Sequence, residues 1–129
     1  MSTTPRAVSQ IVFELPFSPI SVNGAYATDF KTKRRFKTAK YTAFTKNCVP
    51  YLPKERIKGR VEIELNFYFP DKRRRDLDNY IKSMLDTLVL YGVIEDDSNV
   101  HRLVAEKYYD KNNPATVIKI VPFKTKDVI

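Results

Sequence analysis

Residues 61–69, VEIELNFYF, alternate without a break. Val61, Ile63, Leu65, Phe67 and Phe69 fall on one side, and Glu62, Glu64, Asn66 and Tyr68 on the other. An extended chain points successive side chains to opposite faces, so this run predicts a β-strand with one face against a core. A different period governs residues 77–88, where Leu77, Ile81, Met84, Leu85 and Leu88 recur at steps of three and four. That spacing gathers them on one side of a helix. The helix should begin near Asp76 or Asp78 and stop at Gly92, a residue free to take the left-handed conformation that ends helices.

The remaining elements are shorter. Residues 11–15, IVFEL, read as a strand, and Pro16 and Pro19 then impose an extended, turn-rich connection through Ser18, Ser21, Asn23 and Gly24. A helix is expected from Thr38, with Tyr41, Phe44, Thr45, Cys48, Val49 and Leu52 along one face and Pro50 and Pro53 disturbing its end. Residues 93–99 read as a turn-rich segment. Two further strands are expected at 100–109 and 115–122, with Asn112, Asn113 and Pro114 turning between them as a terminal hairpin. The sum is an α+β fold: a single small domain over residues 1–129 with a mixed β-sheet, two main helices and a flexible stretch at residues 1–10.

Size agrees with that picture, since 129 residues suit one ordinary domain. With 43% hydrophobic and 29% charged residues the chain can build a core, which excludes global disorder. It holds no apolar run near the roughly 20 residues that span a bilayer, and no signal-peptide pattern. A single cysteine, Cys48, rules out an intrachain disulfide and a thiolate zinc site and is expected to be a small buried side chain. An intracellular, cytoplasmic protein without membrane contact is the expectation.

Charge changes the picture further. The net charge is +8, but residues 1–75 hold 16 Lys/Arg against 6 Asp/Glu, whereas residues 76–129 hold 7 against 9. Residues 31–40, KTKRRFKTAK, contain six cations and no acid and should form a loop or exposed ribbon; Lys72, Arg73, Arg74 and Arg75 make a second basic cluster. A basic field of this kind suits a polyanion, because each neutralised phosphate releases counterions.

The acidic residues at the start of the second helix sit directly behind this cluster. Asp78, Lys82 and Asp86 are four apart and line one helix face, and Asp97 lies in the segment returning to the sheet. Carboxylates near cations suit Mg²⁺, which takes oxygen ligands and leaves positions for a substrate phosphate. The same residues also suit a helix cap, a solvated row of ion pairs and an acidic turn. Spacing alone leaves both readings open. His101 is expected to pack or face solvent, and the eight tyrosines and eight phenylalanines belong mostly to the strands and helix faces. One exposed ring could wedge against bases, and the sequence does not say which.

The run FPDKRRRDLDNYIKSMLDTL, continuing through YGVIEDD, resembles the signature region of the RusA family of Holliday junction resolvases, and LPFSPISVNGAY resembles that family's opening strand and loop. Residues 31–60 are similar in character more than in detail. The resemblance implies a RusA-like homodimer that depends on Mg²⁺, with Mn²⁺ as a substitute. It further implies resolution of four-way DNA junctions by paired symmetric nicks, in DNA recombination and repair. Carried over by position, Asp76, Asp78 and Asp97 are the metal-binding catalytic carboxylates and Lys82 the essential lysine, with Asn79 as a supporting hydrogen-bonder. Lys31, Lys33, Arg34, Arg35 and Lys37, together with Lys72 to Arg75, would track DNA phosphates. Such enzymes are often encoded by phages or prophages. Two alternatives stand beside this reading: a non-catalytic branched-DNA-binding module, and a nuclease acting on flaps or replication forks.

Overall fold

A computed structural model describes residues 10–124; apart from Gln10, the flexible N-terminal stretch expected at residues 1–10 lies outside the described residues. The elements run β1 (Ile11–Leu15), α1 (Val22–Ala25), β2 (Tyr26–Thr28), β3 (Arg35–Lys37), α2 (Ala39–Cys48), β4 (Val61–Phe69), α3 (Leu77–Leu90), β5 (Val100–Tyr109) and β6 (Ala115–Pro122). Four strands form one sheet in the order β1-β6-β4-β5, and β2 and β3 make a separate two-stranded ribbon. The α+β class, the mixed sheet and the two main helices agree with the sequence expectation.

The alternating strand is the centre of the sheet. Every odd-numbered residue from Val61 to Phe69 is buried, and β4 pairs antiparallel with β6 and parallel with β5. A parallel neighbour requires a crossover, and α3 provides it between β4 and β5. Met84 and Leu88 of α3 are fully buried in the same core as Ile63, Leu65 and Phe67, while Leu77 and Ile81 pack at its margin. Each fully buried side chain of this size contributes about 1.5–3 kcal/mol. The other face of the sheet is held by cross-strand pairs: Arg102 on Glu62 at 3.4 Å, and Tyr68 stacked on Tyr108 at 5.1 Å.

Gly92 ends α3 as expected, with φ +69°. The Gly92 N–H donates to Val89 O and the Val93 N–H to Leu88 O, a paired closure that satisfies two terminal carbonyls. A side chain at this position would collide with the Arg56 guanidinium, which donates to Tyr91 O. Val93, just past the turn, folds back into the core beside Leu88.

Three expectations are corrected. The strands at 100–109 and 115–122 exist but are not a hairpin, because β4 lies between them. β6 instead pairs antiparallel with both β4 and β1 and fills the gap between them, so that β4, the strand with every alternate side chain buried, is interior to the sheet. The connection after Pro19 is also not extended throughout. Ser21 accepts a hydrogen bond from the Gly24 N–H and caps the short helix α1. Further along, α2 begins at its Thr38 cap and stops at Cys48; Val49, expected on its buried face, is exposed in the tight turn that Pro50 imposes. Cys48 is buried, and that burial pushes its thiol up to about 12, so it behaves as a small apolar side chain. His101 is exposed and stacks on Phe123 at 5.3 Å. No helix among the described residues is long and apolar enough to cross a membrane.

Candidate active site

The helix α3 begins where the basic loop ends, so cations and carboxylates adjoin along the chain. Asp71 organises the loop. Its carboxylate accepts from the Arg73 N–H at 3.0 Å and from the Arg75 guanidinium at 2.8 Å. The Arg75 guanidinium beside it is the main reason that the Asp71 carboxyl is held down at about 2. Arg75 is itself largely enclosed, with 13% of its side chain exposed, and lies 4.5 Å over the Phe69 ring. Its carbonyl receives Lys107 Nζ at 2.6 Å. Arg75, counted by sequence among the phosphate contacts, is therefore occupied inside the protein. Arg73 and Arg74 remain exposed, and Lys72 lies 5.3 Å over the Tyr109 ring. Arg73 and Arg74 border an open groove of about 630 Å³ that Lys40 and Phe44 of α2 line from the other side.

Asp76 occupies the cap position of α3 with extended backbone, yet its side chain makes no capping hydrogen bond. A capping aspartate spends an oxygen on the first turn; this one keeps both. Asp78, in the first turn, accepts from the Asn79 N–H at 3.1 Å. Asn79 thus touches the acidic site through its backbone rather than its side-chain amide.

One and two turns further on, Lys82 and Asp86 join at 2.9 Å. Asp97 approaches from the 3-10 turn Asp97–Asn99 and meets the same ammonium at 3.2 Å. Lys82 is thus shared between two carboxylates, and the hydrogen bonds it donates, to Asp86 first and Asp97 second, raise its pKa. The remaining oxygen of Asp86 accepts from the Tyr26 hydroxyl at 2.7 Å. Burial first and the Asp86 contact second push the Tyr26 phenol up, so it stays a donor. An open depression of about 360 Å³ lies here, bordered by Tyr26, Lys37, Asp86 and Asp97.

Tyr26 belongs to β2 and ties the basic ribbon to α3. Across the ribbon it faces Lys37, and the Arg35 guanidinium stacks 4.1 Å over its ring. Asp29 shapes the ribbon's turn by accepting from the Lys31 and Thr32 N–H groups at 2.8 and 3.0 Å, and Lys33 takes φ 58°. Lys31, Lys33 and Arg34 stand exposed there, beside a Phe30 ring that is 99% exposed. Phe36, Tyr51, Tyr108 and Tyr109 are also exposed, each to about half or less, so Phe30 is the most exposed of these rings.

The geometry brings Lys82 and Asp97 together and adds Asp86 and Tyr26, neither of which sequence reasoning had placed in the site. For Asp86 the signal was present in the row Asp78, Lys82, Asp86; for Tyr26 there was none beyond its place near the Asn-bearing loop. Among the described residues no three acidic or metal-ligating side chains are drawn together as a ready cage for an ion. The donor set still suits Mg²⁺, which is commonly held by one or two carboxylates with substrate phosphate and water completing its shell.

The sequence model of the family described as "Endodeoxyribonuclease RusA" matches residues 16–121, which include every element of the site. The chain belongs to the RusA family. It is 30% identical over 77 residues to the crossover junction endodeoxyribonuclease RusA of Aquifex aeolicus (strain VF5), a match covering 56% of this chain and 61% of that protein. To the crossover junction endodeoxyribonuclease RusA of Enterobacteria phage HK97 it is 50% identical over 40 residues, covering 31% of this chain and 33% of that one. The chain spans less than two thirds of the length of each of these RusA relatives.

Proposed function

We propose that the protein is a divalent-metal-dependent endodeoxyribonuclease that resolves four-way DNA junctions by paired symmetric nicks, acting in recombination and repair. The observation that carries this reading is Lys82, held between Asp86 and Asp97 on the helix that Asp76 and Asp78 open, directly behind a basic loop. Membership of a family named for endodeoxyribonuclease activity supports it.

Asp76, Asp78 and Asp97 are the residues that would hold Mg²⁺, or Mn²⁺ in its place. Once bound, the ion supplies positive charge against the scissile phosphate. Lys82 presents a fixed ammonium donor to charge developing on the phosphoryl oxygens. A water oxygen adds to phosphorus as the 3′-oxygen leaves, giving a 5′-phosphate and a 3′-hydroxyl. Lys31, Lys33, Arg34, Arg35 and Lys37, with Lys72, Arg73 and Arg74, neutralise backbone phosphates and orient the DNA without reading its sequence. Arg75 acts one step back, by fixing the loop. A homodimer with a two-fold axis would place two equivalent sites on symmetry-related strands, as paired nicks require. A phage or prophage source would be in keeping with the HK97 relative.

Cleavage of an end-labelled four-way junction, set beside a flap, a fork and a linear duplex, with Mg²⁺ or EDTA, tests this. Symmetric nicks confined to the junction and to Mg²⁺ are expected. Preferential cutting of the flap or fork would replace the resolvase reading. Tight junction binding with no cleavage in Mg²⁺ or Mn²⁺ would leave a binding module.

A further inference from the structure

We propose that Asp86 and Tyr26 are positioning residues that hold Lys82 toward Asp97, so that the basic ribbon sets the placement of the catalytic lysine. The inference rests on the reading of Lys82 as catalytic given above. A lysine has four rotatable side-chain bonds and reaches one place only when partners fix it. Here the ammonium has two carboxylate partners, Asp86 at 2.9 Å and Asp97 at 3.2 Å, although half of the side chain is exposed. Asp97 is assigned to the metal and to the chemistry; Asp86 comes from the same helix, one turn on, and is 22% exposed. Its own orientation is fixed from outside the helix. The Tyr26 hydroxyl, 60 residues away in sequence, donates to the oxygen that Lys82 does not use.

Tyr26 is in turn immobilised. Its ring lies 5.4 Å from that of the buried Tyr41 and beneath the Arg35 guanidinium at 4.1 Å. Arg35 and Lys37 are exposed cations of the ribbon assigned to DNA phosphates. A strand of DNA drawn onto the ribbon therefore bears on the side chains that pin Tyr26, and through Asp86 on Lys82. The chain of touching groups is continuous from substrate-binding surface to ammonium.

Tyr26→Phe removes one hydroxyl and keeps the ring, its stacking on Tyr41 and its guanidinium partner. With junction in excess, the single-turnover cleavage rate of Tyr26→Phe should fall about tenfold and that of Asp86→Asn about 10- to 100-fold. Junction affinity and thermal unfolding of Tyr26→Phe should match the wild type. Because Tyr26 acts through Asp86, the double variant should be within about twofold of Asp86→Asn alone. A wild-type rate for Tyr26→Phe, a loss confined to affinity, or a double variant as slow as the product of the singles would each overturn the proposal. Should Asp86→Asn not fold, Tyr26→Phe carries the test by its rate and by NMR of the ¹⁵N-labelled lysine ammonium groups. The Lys82 signal should be sharp in the wild type and weakened in Tyr26→Phe; an unchanged signal overturns the proposal. That readout needs no activity, so a wild type inert on every branched DNA would refute the nuclease reading and leave the positioning decided separately.

Discussion

The ribbon at residues 31–37 carries five cations and the loop at residues 72–75 carries four, and the two sets differ in how much charge is left to meet a ligand. In the ribbon, Lys31, Lys33 and Arg34 stand in solvent around a turn that Asp29 builds mainly by accepting from backbone N–H groups. In the loop, Asp71 gathers Arg73 and Arg75, and Arg75 is folded over Phe69. A carboxylate that binds backbone N–H groups shapes a turn and leaves nearby cations exposed, whereas one that holds an enclosed guanidinium, as Asp71 holds Arg75, converts that cation into scaffold. Equal charge density along a sequence is thus unequal charge at a surface.

Four sets of substitutions can break or sharpen this contrast. The largest effect lies at the carboxylates that follow the loop, at the start of α3. Asp78→Asn should lower the rate of junction cleavage by at least about 100-fold, a loss on the scale of removing one transition-state-stabilising group, while junction affinity measured by gel shift stays near wild type. Unchanged cleavage would mean that the two basic segments deliver DNA to some other site. Next is Arg75→Ala, which removes an enclosed guanidinium with its hydrogen bonds and its packing on the ring. It should cost about 2 kcal/mol in urea unfolding, whereas Arg74→Ala should fall within about 0.5 kcal/mol of wild type. Equal stabilities for the two variants would erase the distinction drawn within the loop.

A smaller change is expected from the ribbon. Replacing Lys31, Lys33 and Arg34 together by alanine should leave stability intact and reduce the magnitude of the salt slope of junction binding by about 2–3, one for each phosphate that is no longer neutralised. A slope equal to that of wild type would show that the ribbon's cations do not meet DNA. The smallest effect belongs to Asp71. Its folded pKa of about 2 lies below the ordinary 3.8, so the stabilisation it provides is complete above the ordinary value and is lost as pH falls from about 4 through 2. Asp71→Asn should flatten the acid limb of a stability-against-pH curve in that window, and a limb of unchanged steepness would assign the loss to other carboxylates.

What was legible in the sequence follows the range of the forces involved. The alternation of β4, the apolar stripe of α3 and the stop at Gly92 are local, and each appears where its pattern placed it. Strand pairing is not local. Nothing in residues 100–122 announces that β6 must pass β5 by and insert beside β4, because that choice depends on the unfilled edge of a strand some 50 residues earlier. The site divides in the same way. Asp78, Lys82 and Asp86 could be aligned from helical geometry, but the Tyr26 hydroxyl on Asp86 joins segments 60 residues apart. For Arg75, the run of cations hid a difference that arises from one aspartate and one ring.

The insertion of β6 also bears on when the protein can become competent during its synthesis. Among the described residues β1 pairs with no strand but β6, and β4 would have one bare edge without it. A nascent chain emerges N-terminus first, so Asp76, Asp78, Lys82 and Asp97 all leave the ribosome before the strand that closes the sheet. Joining residues as distant as Ile11 and Ile120 makes for a high contact order, which slows folding relative to local architectures. The acidic residues of α3 and of the turn at Asp97 therefore wait for translation to pass residue 122 before the sheet beneath them can close. A site that rests on this sheet is completed only after β6 has emerged, so competence follows the acidic residues rather than arriving with them.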